Sequence, residues 1–136
     1  MPYTHQLSVR YADTDAQGHT FFANYLTFCD EALTYFLAAL GCDYASMEQA
    51  DQAMFVFAHS SCTHLARTFF ADRLDIEVTA ERIGHTSFTT LHTIRRPDGV
   101  VAAQGRLVSV CVHPTSRQKQ PLPERLRQAL EENHSP

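Results

Sequence analysis

The sequence predicts an α+β fold in which one long apolar helix packs against an antiparallel sheet. Three observations carry this reading. A helical repeat of apolar residues runs from about Phe22 to Leu40. Strict two-residue alternation, with Leu74, Ile76, Val78 and Ala80 between polar neighbours, marks a half-buried strand. The other apolar segments have strand lengths and are divided by turn residues, as in consecutive hairpins.

The elements follow in order. Gln6 to Tyr11 alternates, with Leu7, Val9 and Tyr11 on one side, and reads as a strand. A polar loop, Ala12-Asp13-Thr14-Asp15-Ala16-Gln17-Gly18-His19, comes next. The helix then runs to Leu40, and Gly41 stands where a C-terminal stop is expected. Its polar residues Thr27, Asp30, Glu31 and Thr34 form one narrow stripe, so the spacing predicts burial over most of its girth. Phe55 to Phe69 reads as a long strand. Thr86 to Arg95 is a strand ending at the turn signal Pro97-Asp98-Gly99, and Val100 to Val112 is the return strand. Beyond Pro121 and Pro123, Glu124 to Glu132 reads as a short terminal helix. The count is one strand, one helix, then three or four strands.

The 136 residues suit a single domain spanning 1–136, and the 44% hydrophobic fraction with nine Phe supplies a core. A net charge of −4 argues against a nucleic-acid binder. No apolar run approaches a membrane span, and the N-terminus lacks the pattern of a signal peptide, so the expected compartment is the cytoplasm. Cys29, Cys42, Cys62 and Cys111 form no Cys-x-x-Cys pair and read as reduced, buried thiols. His59-Ser60-Ser61-Cys62-Thr63-His64 looks like a metal motif, but on a strand His59 faces away from Cys62 and His64. No metal is expected. There is no Gly-x-Ser-x-Gly elbow and no Gly-rich phosphate loop, so neither a serine hydrolase nor a bound cofactor is indicated.

The segment Val9-Arg10-Tyr11-Ala12-Asp13-Thr14-Asp15-Ala16-Gln17-Gly18-His19, followed by Phe22-Ala23-Asn24-Tyr25, resembles the opening signature of the 4-hydroxybenzoyl-CoA thioesterase family of hotdog-fold proteins. The pattern is Asp-x-Asp-x-x-Gly, then Asn-Tyr as the helix begins. Ala66-Arg67 with Phe70-Ala71-Asp72-Arg73-Leu74, and Gly105-Arg106-Leu107-Val108 with Pro121-Leu122-Pro123-Glu124, resemble later family segments in the same order. The resemblance implies a hotdog fold, a long central helix wrapped by a five- to six-stranded antiparallel sheet. It implies an acyl-CoA thioesterase that yields free acid and CoA.

Cleaving a thioester requires a nucleophile at the carbonyl carbon and donors for the oxyanion. A helix start offers free backbone N–H groups, and a carboxylate just before it attacks or deprotonates water beside them. The resemblance makes Asp15 the catalytic carboxylate, the Phe22 backbone amide the polarising group, and Asp13 a structural residue. His19, which replaces a commonly aliphatic residue, is a further catalytic candidate able to hydrogen-bond Asp15 or the substrate. Many members carry Tyr or His at position 22, so Phe22 can serve only through its backbone N–H. Those resembling 1,4-dihydroxy-2-naphthoyl-CoA thioesterases also carry Phe-Ala-Asn here, which points to an aromatic acyl group. Gly18, Asn24 and Tyr25 border the substrate by the same resemblance, with Asn24 also suited to bracing the helix start. His59 and Thr63 become candidates for the acyl pocket, because their strand flanks the active site in the family.

Arg67, Arg82, Arg106, Arg117 and Lys119 are cations able to meet CoA phosphates or simply to remain solvated. Two other readings stand beside the thioesterase. One is a non-catalytic acyl-CoA-binding module; the other is a hydratase or dehydratase on acyl thioesters, whose Asp/His or His/Glu pair is placed differently. The expected partners are an acyl-CoA substrate and further copies of the chain, as a homodimer or homotetramer, since an open sheet leaves edges unpaired.

Overall fold

A computed structural model describes residues 2–134; Met1 and residues 135–136 of the expected domain lie outside it. Among the described residues, five strands form one antiparallel sheet: β1 (Tyr3–Ser8), β2 (Met54–His64), β3 (Arg73–Ile83), β4 (Ser87–Arg95) and β5 (Val101–Val112). Their spatial order is β1-β3-β4-β5-β2, which leaves β1 and β2 at the edges. Helix α1 (Asn24–Ala39) lies across one face and touches all five strands. Helices α2 (Tyr44–Asp51) and α3 (Glu124–Glu132) close the far end of the core.

Register places the alternating residues as the sequence requires. Leu74, Ile76, Val78 and Ala80 of β3 are buried against α1, while Asp75, Glu77 and Thr79 point to the other face. In β4 and β5 the pairs Phe88–Ser109, Thr90–Leu107, His92–Gly105 and Ile94–Ala103 continue the inner layer. Gly105 is needed there: a Cβ at this position would stand 2.6 Å from the Cys29 sulfur of α1. The absent side chain lets the helix settle onto the centre of the sheet.

Three expectations are corrected, and one further helix is found. The first strand is displaced, running over Tyr3–Ser8 rather than Gln6 to Tyr11. Residues Tyr11–Asp13 turn instead, because the Asp13 carboxylate accepts from the Arg10 N–H at 2.9 Å while the Asp13 N–H donates to the Arg10 carbonyl. Tyr11 consequently points outward and is 79% exposed. Strand β2 stops at His64, short of Phe69, where the Leu65 and Ala66 N–H groups both converge on the Ala102 carbonyl and end the ladder. Helix α1 is buried on one side only, through Tyr25, Phe28, Cys29, Ala32, Leu33, Phe36 and Leu37. Tyr35 joins the exposed polar stripe, since a single five-stranded sheet covers one flank of a helix and not its whole girth. Finally, α2 escaped the periodicity: it is short and polar, with Met47 its single buried residue and an Asp43 side chain capping Ser46 as its clearest local signal.

Candidate active site

The loop before α1 is a tight hairpin. The Gly18 N–H donates to the Asp15 carbonyl at 3.0 Å, the Asp15 N–H donates to the His19 carbonyl at 2.9 Å, and Thr14 bridges Thr20. Gly18 takes φ +85°, the left-handed conformation that closes a three-residue hairpin loop. This turn presents Asp15 at its neck. One Asp15 carboxylate oxygen accepts from the Gln17 N–H at 2.9 Å; the other lies 3.6 Å from His19 Nδ1, too long for a direct hydrogen bond. His19 Nε2 is 3.0 Å from the Gln17 side-chain oxygen. Both Asp15 and His19 remain partly open to solvent.

Asp13 holds this hairpin to the helix. It is 2% exposed and accepts from Arg10 Nε and Nη2 and from Asn24 Nδ2, while its carbonyl accepts the Phe21 N–H at 2.8 Å. The side-chain hydrogen bonds of Arg10 are the chief reason its carboxyl is held below the usual carboxylate range, against an opposing burial effect. Asn24 therefore braces the helix start. Tyr25 is buried and meets the Thr68 hydroxyl at 2.8 Å, and Thr68 in turn meets Thr20 at 2.6 Å. These bonds tie the loop, the helix and the segment after β2 into one unit.

Helix α1 opens with tight i→i−3 bonds from Asn24, Tyr25 and Leu26 to Phe21, Phe22 and Ala23. The N–H groups of Phe22 and Ala23 have no acceptor among the described residues, and no side chain caps this end. Beside them lies a cleft of ≈280 Å³ lined by His19, Thr20, Phe22, Tyr25, His64, Leu65, Ala66 and Arg67. The His64 ring meets Phe22 edge-on at 6.3 Å and Tyr25 at 5.3 Å between centroids.

His19, Phe22 and Tyr25 thus come together on the cleft wall. Asp15 reaches it through His19, standing behind that ring rather than lining the cleft itself. Gly18 shapes the loop and does not touch the cleft. His59 and Thr63 share the outer face of the sheet with Val108 and Gln104, away from the cleft. Their strand contributes His64 instead, together with Arg67 beyond its end. The same strand alternation that separates His59 from His64 could have pointed to His64, but the bend at Leu65 that brings the exposed Arg67 to the cleft rim has no sequence signal.

A second hollow of ≈260 Å³, lined by Asp30, Tyr44, Glu48, Ala53, Met54, Phe55 and Phe57, lies farther along the seam between α1 and β2. It has neither the open helix start nor the carboxylate hairpin. Among the described residues, no group of three or more His, Cys, Asp or Glu is placed to hold a metal ion. No helix there is long and apolar enough to cross a membrane.

Comparison with known proteins bears on the family and the fold. The model of the thioesterase-like superfamily matches residues 9–130. A 1,4-dihydroxy-2-naphthoyl-CoA hydrolase of Synechococcus elongatus is 32% identical over 130 residues, covering 95% of each chain. Among solved structures, a 1,4-dihydroxy-2-naphthoyl-CoA thioesterase from Synechocystis superposes with a TM-score of 0.87 at 24% identity over 96% of each chain. A gentisyl-coenzyme A thioesterase gives 0.83 at 27% identity, over 95% of this chain and 99% of that one. Both the hotdog architecture and the family expected from the loop motif are met, and the chain belongs to the thioesterase-like superfamily.

Proposed function

We propose that this chain hydrolyses the thioester of an aromatic acyl-CoA, with Asp15 as the catalytic carboxylate. The observation that carries the reading is the pairing of a carboxylate hairpin with an uncapped helix start at one aromatic-walled cleft. Asp15 takes a proton from water, and the oxygen adds to the thioester carbon. The Phe22 N–H holds the resulting oxyanion where the helix dipole also favours negative charge. Collapse expels the CoA thiolate, which recovers the proton from Asp15. In the alternative course the Asp15 carboxylate itself attacks and expels the CoA thiolate, and water then cleaves the mixed anhydride, freeing the acid and Asp15 while its released proton neutralises the thiolate. The Gln17 N–H orients the Asp15 carboxylate, and His19 closes the cleft wall over it. Phe22, Tyr25 and His64 offer faces and edges suited to an aromatic acyl group, the class named for the similar enzymes.

We also propose a homodimer formed at β2, with the compartment cytoplasmic. Support comes from the edge position of β2 and from Val56 and Phe57, which are 42% and 48% exposed there. A second copy along this edge would cover the open side of the cleft. Sedimentation at micromolar concentration should give twice the mass of 15.3 kDa or a multiple of that dimer; a monomer would overturn this part.

The position of Asp15 behind His19 favours a second reading, an acyl-CoA-binding module that does not cleave. One assay separates the two. Thiol release should be measured on matched aromatic and aliphatic acyl-CoAs. Preferred cleavage of the aromatic members supports the hydrolase; tight binding without thiol release supports the module.

A further inference from the structure

Among the described residues, seven of the ten guanidinium groups of this chain have a partner: Arg73 donates to the Gln6 side chain, Arg127 donates to the carbonyls of Gly84 and His85, and five hold carboxylates. Arg10 holds Asp13, Arg95 holds Glu77, Arg96 holds Asp98, Arg106 holds Glu81 and Arg125 holds Asp51. Arg67 is an exception. Among the described residues it makes neither a salt bridge nor a side-chain hydrogen bond, yet it lines the cleft beside His19, Phe22 and His64. Arg82, Arg117 and Lys119 also lack carboxylate partners, but none of them lines the cleft.

Arg67 is also positioned. Its guanidinium carbon stands 6.0 Å from the centre of the Phe69 ring, and its backbone carbonyl accepts from Arg96 Nη1 at 3.3 Å. An aromatic face steadies the cation without consuming its N–H donors. On a chain of net charge −4, a free guanidinium at the cleft is a specific attraction for an anion.

We propose that Arg67 is the anion anchor of the cleft and grips a phosphate or carboxylate group of the bound thioester. This rests on the thioester reading above. Guanidinium binds either oxyanion through paired N–H donors. In an aromatic acyl-CoA the anion has two sources, the CoA phosphates and a carboxylate carried on the ring.

The test uses the whole chain and three thioesters: benzoyl-CoA, benzoyl-pantetheine, which lacks the phosphates, and carboxybenzoyl-pantetheine. If phosphate is the anion, Arg67→Gln lowers the ratio of kcat/KM for benzoyl-CoA over benzoyl-pantetheine about tenfold, with the loss in KM. If the carboxylate is the anion, the ratio for carboxybenzoyl- over benzoyl-pantetheine falls instead. In either case Arg67→Lys recovers part of the loss. Both ratios staying within about twofold of wild type would overturn the anchor. Should wild type cleave none of the three, the thioester reading fails separately. Calorimetric binding of the same compounds to wild type and Arg67→Gln then decides the anchor alone, equal affinities overturning it.

Discussion

Gly105→Ala is the sharpest test of how α1 is seated. Gly105 lies between Cys62 of β2 and His92 of β4, facing the helix. The added methyl would sit 2.6 Å from the Cys29 sulfur, well inside the 3.4–4 Å of ordinary contact. Cys29 is fully buried, so the sulfur cannot swing into solvent. Either α1 lifts or β5 bends, and overpacking of this kind costs about 1–3 kcal/mol. For a chain of this size that is a drop in Tm of roughly 4–12 °C. Urea and thermal unfolding measure it directly. The cause is isolated by Gly105→Ala with Cys29→Ala, which removes the clashing sulfur. Cys29→Ala alone should destabilise by about 1 kcal/mol, yet the double variant should be more stable than Gly105→Ala alone. A single variant within about 0.5 kcal/mol of wild type, or strictly additive effects, would show that α1 is not seated on Gly105 through Cys29.

Other consequences follow from buried polar groups. His92 is fully buried with Nδ1 unpartnered, and burial pushes its pKa down to about 4. The folded value lies below the ordinary 6.5, so the unfolded chain binds the extra proton, and stability is whole above pH 6.5 and declines toward pH 4. Between pH 7.5 and 4.5 wild type should lose about 2–3 kcal/mol more than His92→Gln in urea titrations; equal losses would remove His92 as the cause. Asp13→Ala should leave the core folded but release the hairpin from Asn24 and Arg10, lowering kcat on the order of 100-fold through misplacement of Asp15. Wild-type turnover in that variant would contradict the bracing role. Gly18→Ala forces a side chain into φ +85° and should cost about 1 kcal/mol in urea unfolding, although nothing lies within 4 Å of the new methyl. An unchanged midpoint would show that the turn relaxes freely.

Sequence and structure part company for identifiable reasons. Strand β3 was legible because one face is buried and the other solvated, so each side chain declares its face. Helix α1 was legible in extent but not in coverage, since apolar periodicity cannot distinguish burial by the sheet from residues such as Tyr35 left outside it. The hairpin from Asp13 to His19 was readable as a motif, because backbone capture by Asp13 and the left-handed Gly18 fix residue types at fixed spacing. The cleft wall was harder. His64 follows from strand alternation once the strand end is known, whereas Thr68 and Arg67 owe their places to the break at Leu65, a tertiary event.

The proposed mechanism assigns the hydrolysis to Asp15 at the start of α1. The direct measurement is thiol release from benzoyl-CoA by wild type and Asp15→Asn at equal folded concentration, with circular dichroism confirming the fold. Asp15→Asn is expected to lose roughly 10²–10⁴-fold in kcat with ligand binding retained. An Asn variant that turns over within about tenfold of wild type would contradict it and move the chemistry to another group.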